Sequence, residues 1–260
     1  MSLQFIIGRG GSGKTAYCLE SMRSKLFAEP EGAPLVLILP EHMTFKVEKE
    51  LANTPDLHGF TRAYVFGFRR LAQRVLLETG GAIYPSITEI GKRLLLSRVL
   101  SDNLDTLHTL GRAARQRNFT DSLARMIEEF KSYGVAAETL QQAAASMPDS
   151  ALKEKLLDLT LIYQGFNRGM EGHYTDAEDV LEVMEQKIAD SAILRDAEVW
   201  IDGFVFFNPQ EMNILREILL TAKRVKITLS LEHVDSLEHT IDTSLFHRQW
   251  KTLQQVRRLA

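Results

Sequence analysis

The chain has 260 residues, 45% apolar and 25% charged, and its 31 basic against 34 acidic residues leave a formal charge of −3. That balance excludes a disordered polyelectrolyte and supplies no global basic field for nucleic acid, so any such binding must be local. The single cysteine, Cys18, excludes an internal disulfide and a thiolate-only metal cluster. No apolar run approaches the roughly 18 residues of a membrane span, and the first residues carry no signal pattern, so the expected compartment is the cytoplasm.

Leu3 to Ile7 is a short apolar run that ends at a glycine-rich loop, and a helix-compatible stretch with Tyr17, Leu19, Met22 and Leu26 follows. Cys18 lies in that stretch and reads as a small buried hydrophobe. Leu35 to Leu39, closed by Pro40, has the continuous apolar character of a strand buried on both faces of a parallel sheet. Ala63 to Phe66 is a third short strand, and Phe68, Leu71, Val75 and Leu76 have the spacing of a helix packed on that sheet.

From about Ser86 to Lys187 the β-branched runs give way to helical spacing. Leu123, Met126, Ile127, Phe130 and Tyr133 form one expected face, ended by Gly134, and Leu152, Leu156, Leu159, Tyr163 and Phe166 form another. Strand character returns at Val199 to Ile201, ending at Asp202, and at Val225 to Leu229. The pattern predicts an α/β protein: residues 1–85 begin a parallel sheet, residues 86–190 are an inserted helical subdomain, and residues 191–260 complete the sheet. His247 to Ala260 reads as an amphipathic helix that stops without a cap, as expected of a piece cut from a longer protein.

Gly8, Arg9, Gly10, Gly11, Ser12, Gly13, Lys14 and Thr15 match the G-x-x-x-x-G-K-[ST] pattern, with a strand before and a helix after. The glycines let consecutive backbone N–H groups turn inward around phosphate oxygens, and the helix N-terminus adds favourable partial charge. Lys14 is expected to reach the β and γ phosphates of ATP, and Thr15 to hold Mg²⁺ together with Asp202, the acid at the end of another strand. Gly203 follows Asp202, where an active helicase-type ATPase carries the glutamate that activates water. Glu198 at the far end of that strand and Glu211 in the next helix do not obviously replace it, so the expectation is ATP and Mg²⁺ binding with slow turnover.

The chain resembles the N-terminal part of the AddB (RexB) family, the B subunits of bacterial AddAB helicase-nucleases. The resemblance rests on residues 5–15, on Leu39-Pro40-Glu41-His42-Met43-Thr44-Phe45, on Val65-Phe66-Gly67-Phe68-Arg69-Arg70-Leu71-Ala72, on Tyr174-Thr175-Asp176-Ala177-Glu178-Asp179, and on Ile201-Asp202-Gly203-Phe204 through Pro209-Gln210-Glu211. It implies a P-loop, RecA-like parallel sheet, the first lobe of a superfamily-1 helicase, with an inserted helical subdomain. It also implies an AddA-type partner subunit and action on single-stranded DNA and double-strand DNA ends in recombinational repair, including recognition of a hotspot sequence. The family's nuclease and its iron-sulfur cluster are expected only in a C-terminal part that this chain lacks.

By position after the second and third strands, His42, Thr44, Phe45, Phe66, Phe68 and Arg69 are the candidate contacts for single-stranded DNA, although aromatics at such positions are more often core. Arg112, Arg115 and Arg117 form a local basic run that reads either as a DNA or partner contact or, more usually for a charge run, as a solvated face. The seven histidines have no metal-type spacing, and no zinc site is assigned. Two rival readings stay open at this level: an active DNA-dependent motor, and a small-molecule P-loop kinase.

Overall fold

The computed structural model describes residues 2–81, 84–116, 118–232 and 245–259. They divide into two compact units, Met1–Gly81 with Leu181–Ala260, and Ala82–Val180. In chain order the first unit begins with β1 (Ser2–Ile7), α1 (Lys14–Ala28), β2 (Leu35–Ile38), α2 (Glu41–Ala52), β3 (Ala63–Phe66) and α3 (Phe68–Thr79). The second unit contains α4 (Glu89–Asp102), α5 (Phe119–Ser132), α6 (Ala137–Ala145) and α7 (Ala151–Met170), and the chain returns to the first within α8 (Ala177–Lys187). β4 (Glu198–Ile201), α9 (Pro209–Thr221), β5 (Arg224–Leu229) and α10 (His247–Arg257) follow.

The five strands form one parallel sheet in the order β1-β5-β4-β2-β3, giving the first unit a RecA-like α/β fold. Every residue of β2 is buried, as its unbroken apolar run requires of a strand flanked by two others, whereas β1 is an edge strand with Ser2 and Gln4 exposed. On one face Cys18, Leu19, Met22 and Leu26 of α1 pack with Val47 and Leu51 of α2 against Leu37 and Trp200. Tyr17, expected on that buried stripe, is half exposed instead.

The two ends of α1 differ. At its C-terminal end the buried guanidinium of Arg62 donates to the carbonyls of Lys25 (2.9 Å), Glu29 (2.6 Å) and Ala33 (2.6 Å), closing a helix terminus that would otherwise leave oxygens unpaired. At its N-terminal end Gly13 is left-handed (φ 85°) and gives no side-chain cap. Three helices away from the glycine loop carry N-cap side chains: Thr88 accepts from Gly91 N at α4, Ser150 from Lys153 N at α7, and Asn208 and Glu211 form a reciprocal capping box at α9.

In the helical unit Leu96, Leu123, Ile127, Leu140, Leu159, Ile162, Tyr163 and Phe166 form the core. α4 approaches α7 closely because α7 presents Gly165 and Gly169: a Cβ at these positions would lie 2.7 and 2.4 Å from Val99 and Leu95. Tyr133 lies one residue past the end of α5 and Leu152 in the first turn of α7. Both are more than half exposed, so each expected stripe loses its terminal member. Gly134 ends α5 as anticipated, with φ 69°, its N–H donating to Lys131 O and the Val135 N–H to Phe130 O.

Two clusters satisfy buried charge in this unit. Lys131 donates to Asp176 (2.6 Å) and Asp179 (2.7 Å), and Asp176 and Asp179 also cap each other's backbone at the start of α8. Burial alone would neutralise Lys131, but the two carboxylates outweigh it and raise its pKa above the ordinary value. Asp158, 2% exposed, accepts the N–H groups of His108, Thr109 and Leu110 and the Thr109 hydroxyl. Burial opposes its ionisation, yet the four donors hold its pKa below the usual carboxylate value.

Candidate functional site

The β1–α1 loop, Gly8 to Gly13, leaves the C-terminal end of the sheet and feeds the first turn of α1. Gly11 (φ 79°) and Gly13 (φ 85°) are left-handed, a region that side chains other than glycine's rarely enter. Gly8 is required for space, since a Cβ there would meet the Ser12 hydroxyl at 2.4 Å. Lys14 turns back over the loop and donates to the carbonyls of Gly8 and Arg9, both at 2.8 Å. Arg9 forms an ion pair with Glu232, which follows β5.

Thr15 donates its hydroxyl to Asp202 at 2.6 Å, and Thr228, the penultimate residue of β5, donates to the other oxygen of the same carboxylate. Asp202 is 2% exposed and its backbone N–H continues the ladder to Ile38 O at 3.0 Å, so the strand itself fixes its position. The eight loop residues and Asp202, picked out separately in the sequence, thus meet at one edge of the sheet. Thr228 was not anticipated, because a single threonine in a strand carries no motif.

These residues fit a magnesium nucleotide. Left-handed glycines curve the loop, the helix start is without a side-chain cap, and a hydroxyl and a carboxylate stand together beside it. Among the described residues no group of three or more His, Cys, Asp or Glu could hold a metal ion unaided, so a divalent cation here would draw on phosphate oxygens for the remainder of its shell.

Cys18 is fully buried below this site. Burial first, then the charge of Asp202, pushes its thiol up to about 12, which leaves it protonated and inert, as a packing residue should be.

Gly203 has φ 84°, and a Cβ built there would meet Met43 Sδ at 3.0 Å and Pro40 Cδ at 3.2 Å. The backbone at this position is therefore shaped for glycine. Neither nearby glutamate is available as a substitute base: Glu198 is paired with Lys25 at 2.8 Å at the opposite end of β4, and Glu211 is engaged in the α9 capping box, where burial raises its pKa.

The six candidate DNA contacts separate into two groups. His42 and Phe45 stand on the exposed side of α2, with Phe45 75% exposed, and Arg69 is exposed at the start of α3. Thr44 is buried and donates to Glu41 O at 2.9 Å; Phe66 is buried and stacked on Tyr64; Phe68 is buried 5.4 Å from the Phe204 ring. Those three side chains serve packing, whereas the Phe45 ring, read as more often core, is at the surface. Arg112 and Arg115 are exposed, and Arg117 lies outside the described residues.

Three further organising residues are not visible in the sequence pattern. Glu41 accepts the Arg69 N–H at 3.0 Å and so caps α3 from a different helix; it lies so near Gly67 that a Cβ there would overlap it. Gln249 of α10 accepts from Ser230 N and donates to Phe204 O, and Thr252 donates to Val205 O, fastening the loops after β4 and β5. The loop after β4 also exposes Val205 and Phe206. Each of these links joins residues far apart in sequence, which no local spacing reveals.

Comparison with known proteins gives a consistent result. A family described as ADDB, N-terminal, matches residues 5–260. The B subunit of the ATP-dependent helicase/deoxyribonuclease of Desulforudis audaxviator is 45% identical over 236 residues, covering 89% of this chain and 20% of that protein. The proteins of the same description from Pelotomaculum thermopropionicum and Bacillus cereus are 41% and 36% identical, each covering 100% of this chain and 23% of their own length. The chain thus spans about a fifth of the length of the curated relatives it matches.

Proposed function

The chain belongs to the ADDB N-terminal family, and from that premise we propose that it is an ATP-binding, hydrolysis-weakened helicase-like lobe of a helicase-nuclease. In this reading it handles single-stranded DNA in the processing of double-strand ends for recombinational repair, beside an AddA-type partner in the cytoplasm, and contributes to recognition of a hotspot sequence. The relatives are described as ATP-dependent helicase/deoxyribonuclease subunits, which supports the assignment of nucleotide and substrate.

The observation that carries the reading is the pairing of a glycine-shaped loop and a Thr15–Asp202 contact of 2.6 Å with a glycine, Gly203, in the place of the water-activating acid. Backbone N–H groups of the loop other than those of Gly8 and Ser12, which donate to Leu229 O and Arg9 O, receive the phosphates, and Lys14 moves from the loop carbonyls to the β and γ oxygens. Thr15 and Asp202 would hold the cation, with Thr228 orienting the carboxylate. Bound Mg²⁺ would supply charge neutralisation on the phosphate oxygens. What these residues leave undone is removal of a proton from the attacking water, and loss of a general base costs about two to four orders of magnitude in rate.

His42, Phe45 and Arg69 are the contacts we assign to single-stranded DNA, since their side chains reach the surface where the strand ends meet α2 and α3. Arg112 and Arg115 are a second, independent basic patch in the helical unit.

Single-turnover hydrolysis of radiolabelled ATP, with and without single-stranded DNA, tests the reading. Binding with a slow cleavage rate that DNA leaves unchanged is expected. Rapid, DNA-stimulated phosphate release would reinstate the active motor.

A further inference from the structure

Both cations of the glycine loop hold protein oxygens. The Lys14 ammonium lies on two loop carbonyls, and the Arg9 guanidinium lies on the Glu232 carboxylate. The first arrangement belongs to the site already described; the second has a different origin. β1 and β5 pair in parallel with Ile7 opposite Leu229, so the segments that leave the two strands run close together, and Arg9, two residues past β1, meets Glu232, three residues past β5, at the mouth of the loop.

The backbone leading to Glu232 is anchored. Gly8 N donates to Leu229 O at 3.3 Å, Ser230 N donates to Gln249 at 3.2 Å, and Leu231 N donates to Leu229 O at 3.1 Å. The pair itself is exposed, with side chains 65% and 42% accessible. Exposed ion pairs shift equilibria by less than about fivefold, whereas a charge-assisted contact between guanidinium and phosphate is substantially stronger. An incoming phosphoryl group carrying extra negative charge therefore outcompetes the carboxylate, and a diphosphate that stops short of it does not.

We propose that Arg9 is a γ-phosphate ligand supplied in cis, and that Glu232 holds it aside until a nucleoside triphosphate displaces the carboxylate, so that this pair makes the loop distinguish triphosphate from diphosphate. The proposal rests on the nucleotide-binding reading above and adds the residue that reads the third phosphate. The guanidinium starts one residue from Gly8, and the Arg9 carbonyl is already held by Lys14, so the side chain hangs from the cradle itself. A lobe that hydrolyses slowly but tells ATP from ADP uses nucleotide as a state marker, with occupancy by the triphosphate as the signal.

The test is affinity of the purified chain for a slowly hydrolysed ATP analogue (ATPγS) and for ADP, each with Mg²⁺, for wild type, Arg9→Ala, Arg9→Lys, Glu232→Gln, the Arg9→Ala/Glu232→Gln pair and Lys14→Ala. Thermal unfolding of each variant checks the fold. Arg9→Ala should weaken the ATP analogue about tenfold with little change for ADP, and Arg9→Lys should recover only part, because a point charge lacks the fork. Glu232→Gln should tighten the analogue by about two- to fivefold, and the double variant should match Arg9→Ala alone, since the carboxylate acts only through Arg9.

Equal weakening of both nucleotides by Arg9→Ala, or no effect of Glu232→Gln on the analogue, overturns the proposal while Lys14-dependent binding keeps the nucleotide reading intact. Failure of wild type to bind either nucleotide overturns both.

Discussion

The two ends of α1 show two ways in which a fold disposes of polar groups. At the C-terminal end, Arg62 reaches from the start of β3 and spends its guanidinium on three carbonyls. At the N-terminal end a left-handed glycine replaces a capping side chain, and Lys14 covers loop carbonyls that a phosphate could free. The helical unit follows the first pattern, with Lys131, Asp176 and Asp179 satisfying one another and Asp158 held by backbone donors. A polar group that is closed off contributes to stability; one held by replaceable contacts contributes to binding. Substitutions in the two classes should therefore give opposite readouts.

The largest effect is expected at Lys131. Replacement by Met strands the buried Asp176 carboxylate beside the partly exposed Asp179, and removal of one partner from a buried ion pair costs about 3–5 kcal/mol. Urea unfolding should register that loss, with nucleotide affinity unchanged while the chain remains folded. Arg62→Met comes next, at about 3 kcal/mol, because it removes the guanidinium donors from the Glu29 and Ala33 carbonyls just past α1; a midpoint that does not move would remove the contrast between the helix ends.

Asp158→Asn should cost about 2 kcal/mol and carries a pH signature as well. The folded pKa of Asp158 lies below its ordinary value of 3.8, so the unfolded chain takes up the proton first. The stabilisation is complete above the unfolded pKa and is lost as pH falls through the folded one. Stability of the wild type should accordingly fall more steeply than that of the Asn variant below about pH 4, as read from denaturation midpoints across an acid series.

Gly203→Glu sharpens the comparison at the site itself. Placing a side chain at φ 84° against Pro40 and Met43 costs about 1–2 kcal/mol. We expect lower thermal stability and no recovery of hydrolysis, because the backbone there does not present a side chain as an ordinary residue would. A variant of wild-type stability that hydrolyses ATP rapidly would show that a single residue, and not the shape of the loop, limits turnover.

Much of this architecture was legible in the sequence where chemistry is encoded at fixed local spacing. Gly8 to Thr15 announced the loop, and the apolar run before Asp202 announced a strand that ends in an acid. The unbroken Leu35 to Leu39 run announced a strand inside a parallel sheet. What escaped was set by contacts across the fold. Glu41 caps a helix that begins more than twenty residues later, Thr228 completes the grip on Asp202 from a neighbouring strand, and Gln249 reaches two loops from the last helix. Helical spacing also overran its elements: Tyr133 and Leu152 lie at or beyond the ends of their helices, and Tyr17 in the first turn of α1 falls on the exposed face. An aromatic's average burial likewise says little about one exposed position, that of Phe45 on α2.

The central claim is that the N-terminal end of α1 is kept for a phosphate chain. Calorimetric titration of Mg-ATP into wild type and Lys14→Ala measures this directly. Binding by the wild type that the variant loses, with unfolding free energies within about 1 kcal/mol of each other, is the predicted result. A wild type that releases no heat with Mg-ATP and gains no thermal stability from it would contradict the account.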